Sequence, residues 1–150
     1  MSNKVLVTGG CGFIGANLVP KLESLGYEVN ILDNLSKGSL KYVESTNAKV
    51  FVGDIRDKKI VSESLQGVSS VIHLAAYGSV VESVNDPEEN FNINVTGSFT
   101  VLNECRKADI KKIIFSATGG ALIGNAIPPV NENSIPRPIS PYGSSKLCCE

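Results

Sequence analysis

The 150-residue sequence predicts an α/β fold, a doubly wound parallel sheet with helices on both faces. Two observations support this prediction. Short apolar runs alternate with amphipathic segments, and the spacing between successive runs accommodates right-handed helical crossovers. A glycine-rich turn also joins the first apolar run to the first amphipathic segment, as it does in Rossmann-type sheets.

Five apolar runs are predicted to be strands, and the first, residues 5–7, leads directly into the glycine-rich turn. The other four are residues 27–32, 49–53, 68–74 and 111–116. Parallel strands end at one edge of a sheet, and ligands of such folds bind along that edge. Residues at the ends of these runs are therefore expected near a ligand: Gly9, Asp33, Asp54, Ala75 and Ser116.

The first two predicted helices are residues 13–25 and 58–65. The apolar residues of the first lie on one helical stripe, which predicts the face that packs on the sheet: Ile14, Leu18, Leu22 and Leu25. Pro20 lies within this helix and removes a backbone donor, so a kink is expected there.

The second half of the chain contains two marked helix starts. Asp86 is a predicted N-cap before Pro87, and this helix is expected to continue to about Lys107. Ser140 is the predicted cap of a last helix that runs to the final residue. Residues 117–140 contain four prolines and are predicted to form a functional loop, because structureless loops of this length are uncommon in compact domains.

Charge and cysteine content exclude several classes of function. The chain has 14 Lys+Arg and 15 Asp+Glu, a formal net charge of −1, and no basic cluster, so nucleic acid and membrane surfaces are not expected partners. No membrane span or signal peptide is recognisable, which predicts a cytoplasmic protein. The four cysteines lack CxxC spacing and histidine partners, which predicts reduced packing residues and no metal site.

The glycine-rich turn predicts a dinucleotide ligand. Gly10, Gly12 and Gly15 fit the GxGxxG pattern, and Gly9 replaces Gly10 in a GxxGxxG variant. A pyrophosphate is favoured at a helix N-terminus, and a Cβ at these positions would hold it away from the backbone. Asp33 follows the second strand, where its carboxylate can accept a hydrogen bond from the ribose 2′-hydroxyl. Because that carboxylate would repel a 2′-phosphate, NAD is the predicted cofactor.

Tyr142 and Lys146 form a second constellation. Residues four apart share a helix face, so the Lys146 ammonium is expected near the Tyr142 phenol. Its charge and the positive end of the helix dipole both favour the phenolate. Tyr142 is therefore a candidate general base for an alcohol or sugar hydroxyl.

Six short motifs, in the order in which they follow one another along the chain, resemble those of the extended short-chain dehydrogenases/reductases. The segments that carry the resemblance are Thr8-Gly-Gly-Cys-Gly-Phe-Ile-Gly15, Asp33-Asn-Leu-Ser36, Gly53-Asp-Ile55, His73-Leu-Ala-Ala76, Asn94-Val-Thr-Gly97 and Tyr142-Gly-Ser-Ser-Lys146. Within that family, Asp33-Asn-Leu-Ser36 and Val81-Glu-Ser-Val84 are similar to the nucleotide-sugar 4-epimerases of the UDP-glucose 4-epimerase type.

The resemblance implies an NAD site along most of the chain. It implies that the pyrophosphate is held by Gly9, Gly12, Phe13, Ile14 and Gly15, and that the adenosine ribose is surrounded by Asp33, Asn34, Ser36 and Lys37. It places Asp54 and Ile55 beside the adenine, and it lines the cofactor with Leu74, Ala75 and Ala76. The nicotinamide half is implied to contact Asn94, Ser116, Tyr142 and Lys146.

The resemblance also implies a reaction, the interconversion of UDP-glucose and UDP-galactose. Tyr142 takes the proton of the sugar 4-hydroxyl while hydride passes to NAD, Lys146 supports the tyrosinate, and Thr118 bridges the substrate hydroxyl and the tyrosine. Members of the family run to about twice this length, and the fifth predicted strand, with the apolar residues Ile113, Ile114 and Phe115, would leave an open edge that another chain could pair with. We therefore expect residues 1–150 to be an N-terminal dinucleotide-binding part, without the C-terminal substrate domain, that is inactive alone and self-associates.

Several alternatives stay open at this point. Another enzyme of the same fold, a dehydratase or a reductase, is one of them, although residues 117–120 lack the acidic pair that a dehydratase needs. A non-catalytic nucleotide sensor is a second, which the presence of Tyr142 and Lys146 disfavours. Asp54 could cap the following helix instead of contacting adenine, and Gly97 could serve helix packing instead of the cofactor. His73, the one histidine, and the Cys148-Cys149 pair are predicted to be buried packing residues.

Overall fold

The computed structural model describes residues 3–150. These residues form two compact units, which are described separately. The first comprises the described residues up to Ala75 together with Gly97–Ser116, and it contains the sheet. The second comprises Ala76–Thr96 and Ala117–Glu150, and among the described residues it is built from helices and loops.

A parallel sheet forms the centre of the first unit. Its strands within the described residues are β1 (Lys4–Thr8), β2 (Glu28–Asp33), β3 (Lys49–Val52), β4 (Ser70–His73) and β5 (Lys112–Phe115). They lie in the order β3-β2-β1-β4-β5, and every pair is parallel. The predicted α/β fold and its Rossmann-type topology are therefore confirmed, with strand ends within two residues of those expected.

The strand order creates a switch point next to β1. Thr8, the last residue of β1, lies opposite Leu32 of β2 on one side and His73 of β4 on the other. The chain thus continues to opposite sides of β1, and a crevice opens outside the carboxyl ends of the strands at such a position. The glycine-rich turn lies at this point.

Helix α1 (Phe13–Ser24) packs on the sheet with part of the predicted face, because Leu18 and Leu22 pack against the core. Gly15 and Val19 are buried, whereas Ile14 and Leu25 are 58% and 62% exposed. A Cβ on Gly15 would lie 2.3 Å from the Gly10 carbonyl oxygen. The helix therefore approaches the turn most closely at a residue without a side chain, which a pattern of apolar residues does not reveal. Pro20 lies inside α1, and the helix continues through it.

Helices α2 (Lys58–Ser64) and α5 (Ser98–Lys107) complete the first unit. The N-cap of α2 is Asp57, whose carboxylate accepts a hydrogen bond from the Lys59 N–H at 2.8 Å. The alternative in which Asp54 caps this helix is therefore wrong. Gly97, directly before α5, lies against Ile55, because a Cβ there would be 2.6 Å from the Ile55 Cδ1. Close packing thus accounts for this glycine.

The second unit contains two helices that the sequence pattern did not predict. Helix α3 (Val80–Asn85) is capped by Ser79, whose hydroxyl accepts from the Glu82 N–H at 3.1 Å. Helix α6 (Gly119–Ile123) lies within the segment that was expected to be a loop. Its two leading glycines have low helix propensity, which hid it from the sequence pattern.

The helix predicted to begin at Asp86 and continue to Lys107 is interrupted. Asp86 caps α4 (Pro87–Phe91) as expected, accepting from the Glu89 N–H at 3.0 Å. A π-helical segment, Asn92–Gly97, follows before α5 begins. The last helix, α7 (Pro141–Cys149), is capped by Ser140 as predicted. π-helical turns inside α-helices occur frequently at functional sites.

Within residues 3–150, no helix combines the length and the apolar character that crossing a membrane requires. The same residues contain no cluster of histidine, cysteine and carboxylate side chains that could hold a metal ion. All four cysteines are free thiols, and Cys11 and Cys105 are buried. The expectation that Cys148 and Cys149 form a buried pair is wrong, since Cys148 is exposed. Consecutive residues of a helix point 100° apart, so only one of the two faces the interior.

Candidate functional site

Two glycines of the glycine-rich turn, Gly9 and Gly15, cannot be replaced by residues with a side chain. Gly9 has φ = +70°, and a Cβ there would lie 2.7 Å from the Ala75 backbone nitrogen. Gly15 is closed in the same way by the Gly10 backbone. Gly12 differs, because the nearest atom to its Cβ position is the Gly9 carbonyl oxygen at 3.3 Å. Gly9 and Gly15 therefore set the shape of the turn, while Gly12 leaves open space above the helix.

The N-terminus of α1 has no side-chain cap among the described residues. Gly12 occupies the N-cap position and, as a glycine, has no side chain to accept from the first turn. By contrast, α2, α3, α4 and α7 each have a serine or aspartate cap. The first N–H groups of α1 are thus available to an anion, and the helix dipole favours one. Phe13 and Ile14, in this first turn, are 85% and 58% exposed.

Asp33 joins the end of β2 to this turn. Its Oδ2 accepts from the Cys11 N–H at 2.9 Å, and its Oδ1 accepts from the Leu35 N–H at 2.8 Å. Each carboxylate oxygen has a second acceptor position, so a ribose hydroxyl can still be bound. Burial, with the Asp33 carboxylate, raises the pKa of the Cys11 thiol to about 11. Cys11 is therefore a neutral packing residue, as predicted.

The residues after Asp33 form an exposed turn in the first unit. The Asn34 Oδ1 accepts from the Ser36 N–H at 3.1 Å, and Leu35 adopts φ = +60°. Asn34, Ser36 and Lys37 are exposed beside the end of β2. Their polar groups are thus exposed next to Asp33, and their contact with a ribose stays a prediction.

Asp54 forms a bidentate ion pair with Arg56 after β3. The Arg56 Nε donates to Oδ1 at 3.0 Å and its Nη2 donates to Oδ2 at 2.7 Å, while the Arg56 N–H donates to Oδ1 at 2.8 Å. These side-chain hydrogen bonds are the main reason that the pKa of Asp54 lies below its ordinary value of 3.8, and burial opposes them. Asp54 is thus a fixed anionic acceptor. Ile55 is buried and packs against Gly97.

His73 joins three elements of the first unit through hydroxyl groups. Its Nδ1 is 2.5 Å from the Thr8 Oγ1, and its Nε2 is 2.9 Å from the Ser98 Oγ. The Thr8 Oγ1 also accepts from the Ala75 N–H at 3.3 Å. His73 is buried, as predicted, and both of its ring nitrogens are within hydrogen-bond distance of hydroxyl groups, so it does more than fill space in the core. It fixes the end of β4, and with it Leu74 and Ala75, beside Gly9.

Ser116 begins the segment after β5, and its N–H donates to the His73 carbonyl oxygen at 3.2 Å. The first unit therefore brings together the predicted pyrophosphate, ribose and adenine residues at the carboxyl ends of its strands. The remaining predicted residues belong to the second unit: Ala76, Asn94, Thr118, Tyr142 and Lys146. Ala76 is exposed, and Thr118 is the half-buried N-cap residue of α6.

Tyr142 and Lys146 lie one turn apart on α7, as the sequence predicts. Tyr142 is half-buried, whereas Lys146 is only 4% exposed. Burial lowers the pKa of Lys146 from its ordinary 10.5, and the acidic groups of Cys149 and Glu150 act in the opposite direction. A lysine is seldom buried to this degree without a partner, so the motif is not a chance pattern on a solvated helix face.

Asn94 lies in the π-helical segment and is part of a buried polar network. Its Oδ1 accepts from the Tyr77 N–H at 2.7 Å, and its Nδ2 donates to the Ser145 Oγ at 2.9 Å. The Ser145 Oγ is also 2.8 Å from the Asn90 Oδ1. No sequence pattern singled out Asn90 or Ser145, because Asn90 is the one buried residue of α4 and has no apolar neighbours of the same face to mark it.

Comparison with known proteins gives one family. The model of the NAD dependent epimerase/dehydratase family matches residues 5–150. The UDP-glucose 4-epimerase of Lacticaseibacillus casei is 37% identical over 148 residues, which is 97% of this chain and 44% of that relative.

Solved structures show the same similarity. The UDP-glucose 4-epimerase of Thermotoga maritima, in a crystal structure with UDP-glucose, has a TM-score of 0.93 and 40% identity over 97% of this chain and 48% of that one. The enzyme of Thermus thermophilus, in complex with NAD, has a TM-score of 0.93 and 39% identity over the same shares of the two chains.

The chain thus spans about half the length of the curated relatives that it matches. The match begins in β1 and includes α7, so it covers the glycine-rich turn, the end of β2 and the tyrosine and lysine pair alike. The chain belongs to the NAD dependent epimerase/dehydratase family.

Proposed function

We propose that the chain is the cofactor-binding part of an NAD-dependent nucleotide-sugar 4-epimerase that interconverts UDP-glucose and UDP-galactose. The observation that carries this proposal is the buried Lys146 one helical turn from Tyr142, on a capped helix. The relatives named UDP-glucose 4-epimerases, two of them solved with UDP-glucose or NAD, support the reaction and its substrate class.

The residues of the first unit fit NAD. The uncapped start of α1 and the open space at Gly12 fit a pyrophosphate, and Asp33 fits a ribose diol. The anionic Asp54, held by Arg56, fits an amino group such as that of adenine. When bound, NAD supplies reversible hydride acceptance. The same proposal includes the NAD contacts that the resemblance implies for five further residues: Leu74, Ala75, Ala76, Asn94 and Ser116.

The residues of the second unit supply proton transfer. The Tyr142 phenolate takes the proton of the sugar 4-hydroxyl, and the positive charge of Lys146 stabilises the phenolate before transfer. The Thr118 hydroxyl can donate to the reacting sugar oxygen or accept from it. An oxidised carbon 4 loses its configuration, so returning hydride to the other face of carbon 4 and the proton from Tyr142 to the oxygen on that carbon gives the epimer.

The test measures turnover by the complete protein, meaning the proposed epimerase of which this chain is the cofactor-binding part. The substrates are UDP-glucose, UDP-galactose, a UDP-N-acetylhexosamine and a dTDP-hexose. UDP-glucose and UDP-galactose should interconvert. Tyr142→Phe keeps the ring and removes the base, so turnover should fall about 100-fold or more with NAD affinity unchanged. Tyr27→Phe is the matched control, because Tyr27 precedes the amino end of β2, whereas the site residues of the first unit follow the carboxyl ends of its strands. Near wild-type turnover of Tyr142→Phe would remove Tyr142 from the mechanism.

We also propose that the protein is a cytoplasmic homo-oligomer. The free state of the four cysteines supports a reducing compartment. β5 is an edge strand within residues 3–150, and Ile114 on it is half exposed, which favours pairing with another chain. Light scattering over a concentration series would show a mass that corresponds to more than one chain.

A further inference from the structure

The first turn of α7 has an unusual set of hydrogen-bond partners. The first residue of the helix, Pro141, has no N–H group. The third, Gly143, donates its N–H to the Ser140 cap at 3.1 Å. The second, Tyr142, donates its N–H to the Ser83 Oγ at 3.1 Å, and Ser83 belongs to α3. A residue of another helix thus completes the cap that Ser140 alone provides in part.

Ser83 is fully buried, and its hydroxyl has a fixed orientation. The Ser83 Oγ donates its one proton to the Val80 carbonyl oxygen at 2.6 Å. Its lone pairs are therefore directed away from that carbonyl, and one of them accepts from Tyr142. A buried hydroxyl that both donates and accepts has no alternative partner in water, so its position depends on the two backbone groups that it joins.

A second serine holds the other side of the same residue. The Ser145 Oγ accepts from the Asn94 Nδ2 at 2.9 Å, and its one proton is shared between the Tyr142 carbonyl oxygen at 2.9 Å and the Asn90 Oδ1 at 2.8 Å. Ser145 and Asn94 are buried. The main chain of Tyr142 is thus bound at its N–H by α3 and at its carbonyl group by a network that continues into the π-helical segment. Buried networks of this kind fix one arrangement when every member is satisfied.

We propose that Ser83 is a positioning residue for the epimerase reaction, which fixes the backbone of Tyr142 and thereby the place of its phenol relative to the sugar hydroxyl. This inference rests on the proposed function, in which Tyr142 is the base. Proton transfer requires heavy atoms about 2.6–3.2 Å apart. A displacement of about 1 Å can reduce the rate by about 100-fold without loss of binding.

The experiment compares Ser83→Ala with Ser64→Ala in the complete protein. Ser64, in α2, is the matched control, because it is also fully buried and its hydroxyl also donates to the carbonyl oxygen three residues earlier, that of Val61, at 2.7 Å. Both variants remove the hydrogen bond from the hydroxyl to the carbonyl oxygen three residues earlier. Only Ser83→Ala also removes the oxygen that accepts from the Tyr142 N–H. We expect both to lower the melting temperature, and Ser83→Ala to lower it more, because it also leaves the Tyr142 N–H without its acceptor.

The kinetic constants separate positioning from stability. Ser83→Ala should lower kcat by about 10- to 100-fold, with the KM for UDP-glucose and the NAD affinity within about twofold of wild type, and Ser64→Ala should keep the wild-type kcat. Ser83→Thr retains the hydroxyl and should recover most of kcat. If Ser83→Ala does not fold, Ser83→Cys is compared with Ser64→Cys, since a thiol is a weaker acceptor.

An unchanged kcat in the Ser83 variant, or an equal loss in both serine variants, would overturn the positioning role. An inactive wild-type protein would instead contradict the proposed function. The two failures are therefore distinguishable.

Discussion

Gly12→Ala should weaken NAD binding while leaving the fold almost intact. Gly12 is the N-cap residue of α1 with φ = −83°, a conformation that alanine adopts without strain. Its added Cβ would meet only the Gly9 carbonyl oxygen, at 3.3 Å, so a shift of a few tenths of an ångström accommodates it. The methyl group would occupy the open space above the first N–H groups of α1, where the pyrophosphate is proposed to lie.

The two effects differ in size. Alanine is a poorer N-cap than glycine, which costs about 0.5–1 kcal/mol of folding free energy. Losing one hydrogen bond between a backbone N–H and a charged phosphate costs about 1.5–3 kcal/mol of binding free energy. At about 1.4 kcal/mol for each factor of ten, the dissociation constant for NAD should rise about 10- to 150-fold.

Titration calorimetry with NAD and thermal unfolding measure these two quantities separately. The matched control is Gly26→Ala, because Gly26 has φ = +84° and no atom within 4 Å of its Cβ position. Alanine there is strained by about 1–2 kcal/mol, so this variant should lose more stability than Gly12→Ala and bind NAD as wild type does. NAD binding by Gly12→Ala within twofold of wild type, or an equal loss of affinity in Gly26→Ala, would refute the reasoning.

Two further predictions concern acidic residues. NAD should bind more tightly than NADP, because the Asp33 carboxylate repels a 2′-phosphate; comparable or tighter NADP binding in calorimetry would contradict this. Arg56→Ala should cost about 1 kcal/mol of unfolding free energy at pH 7. A carboxyl group with a lowered folded pKa contributes stability above its unfolded value, and that contribution is lost as the pH falls through the folded pKa. In urea unfolding, the loss of unfolding free energy caused by Arg56→Ala should therefore become smaller as the pH falls below 3.8, the ordinary pKa of Asp54. A loss that is independent of pH would exclude the ion pair as its cause.

The sequence alone determined the parallel sheet, the glycine-rich turn and the helix caps at Asp86 and Ser140. The turn and the caps depend on interactions between residues close together in the chain, and each strand is recorded as a short apolar run although the strands pair over long distances. An apolar run, a glycine at a tight turn or a capping side chain acts over a few residues, so a linear pattern records it. For the same reason Asp33, at the end of one such run, could be assigned beside the turn before the structure was known.

The tertiary structure alone decided which polar residues hold the site together. Ser83 and Tyr142 are 59 residues apart in the chain, and Thr8 and His73 are 65 apart. No pattern in one segment indicates that its serine will accept a hydrogen bond from a distant backbone. The face of α1 was also decided here, because Gly15 packs where a side chain cannot. Buried hydrogen bonds and contacts without side chains become visible only when the fold brings distant segments together, since neither leaves a periodic apolar pattern in the sequence.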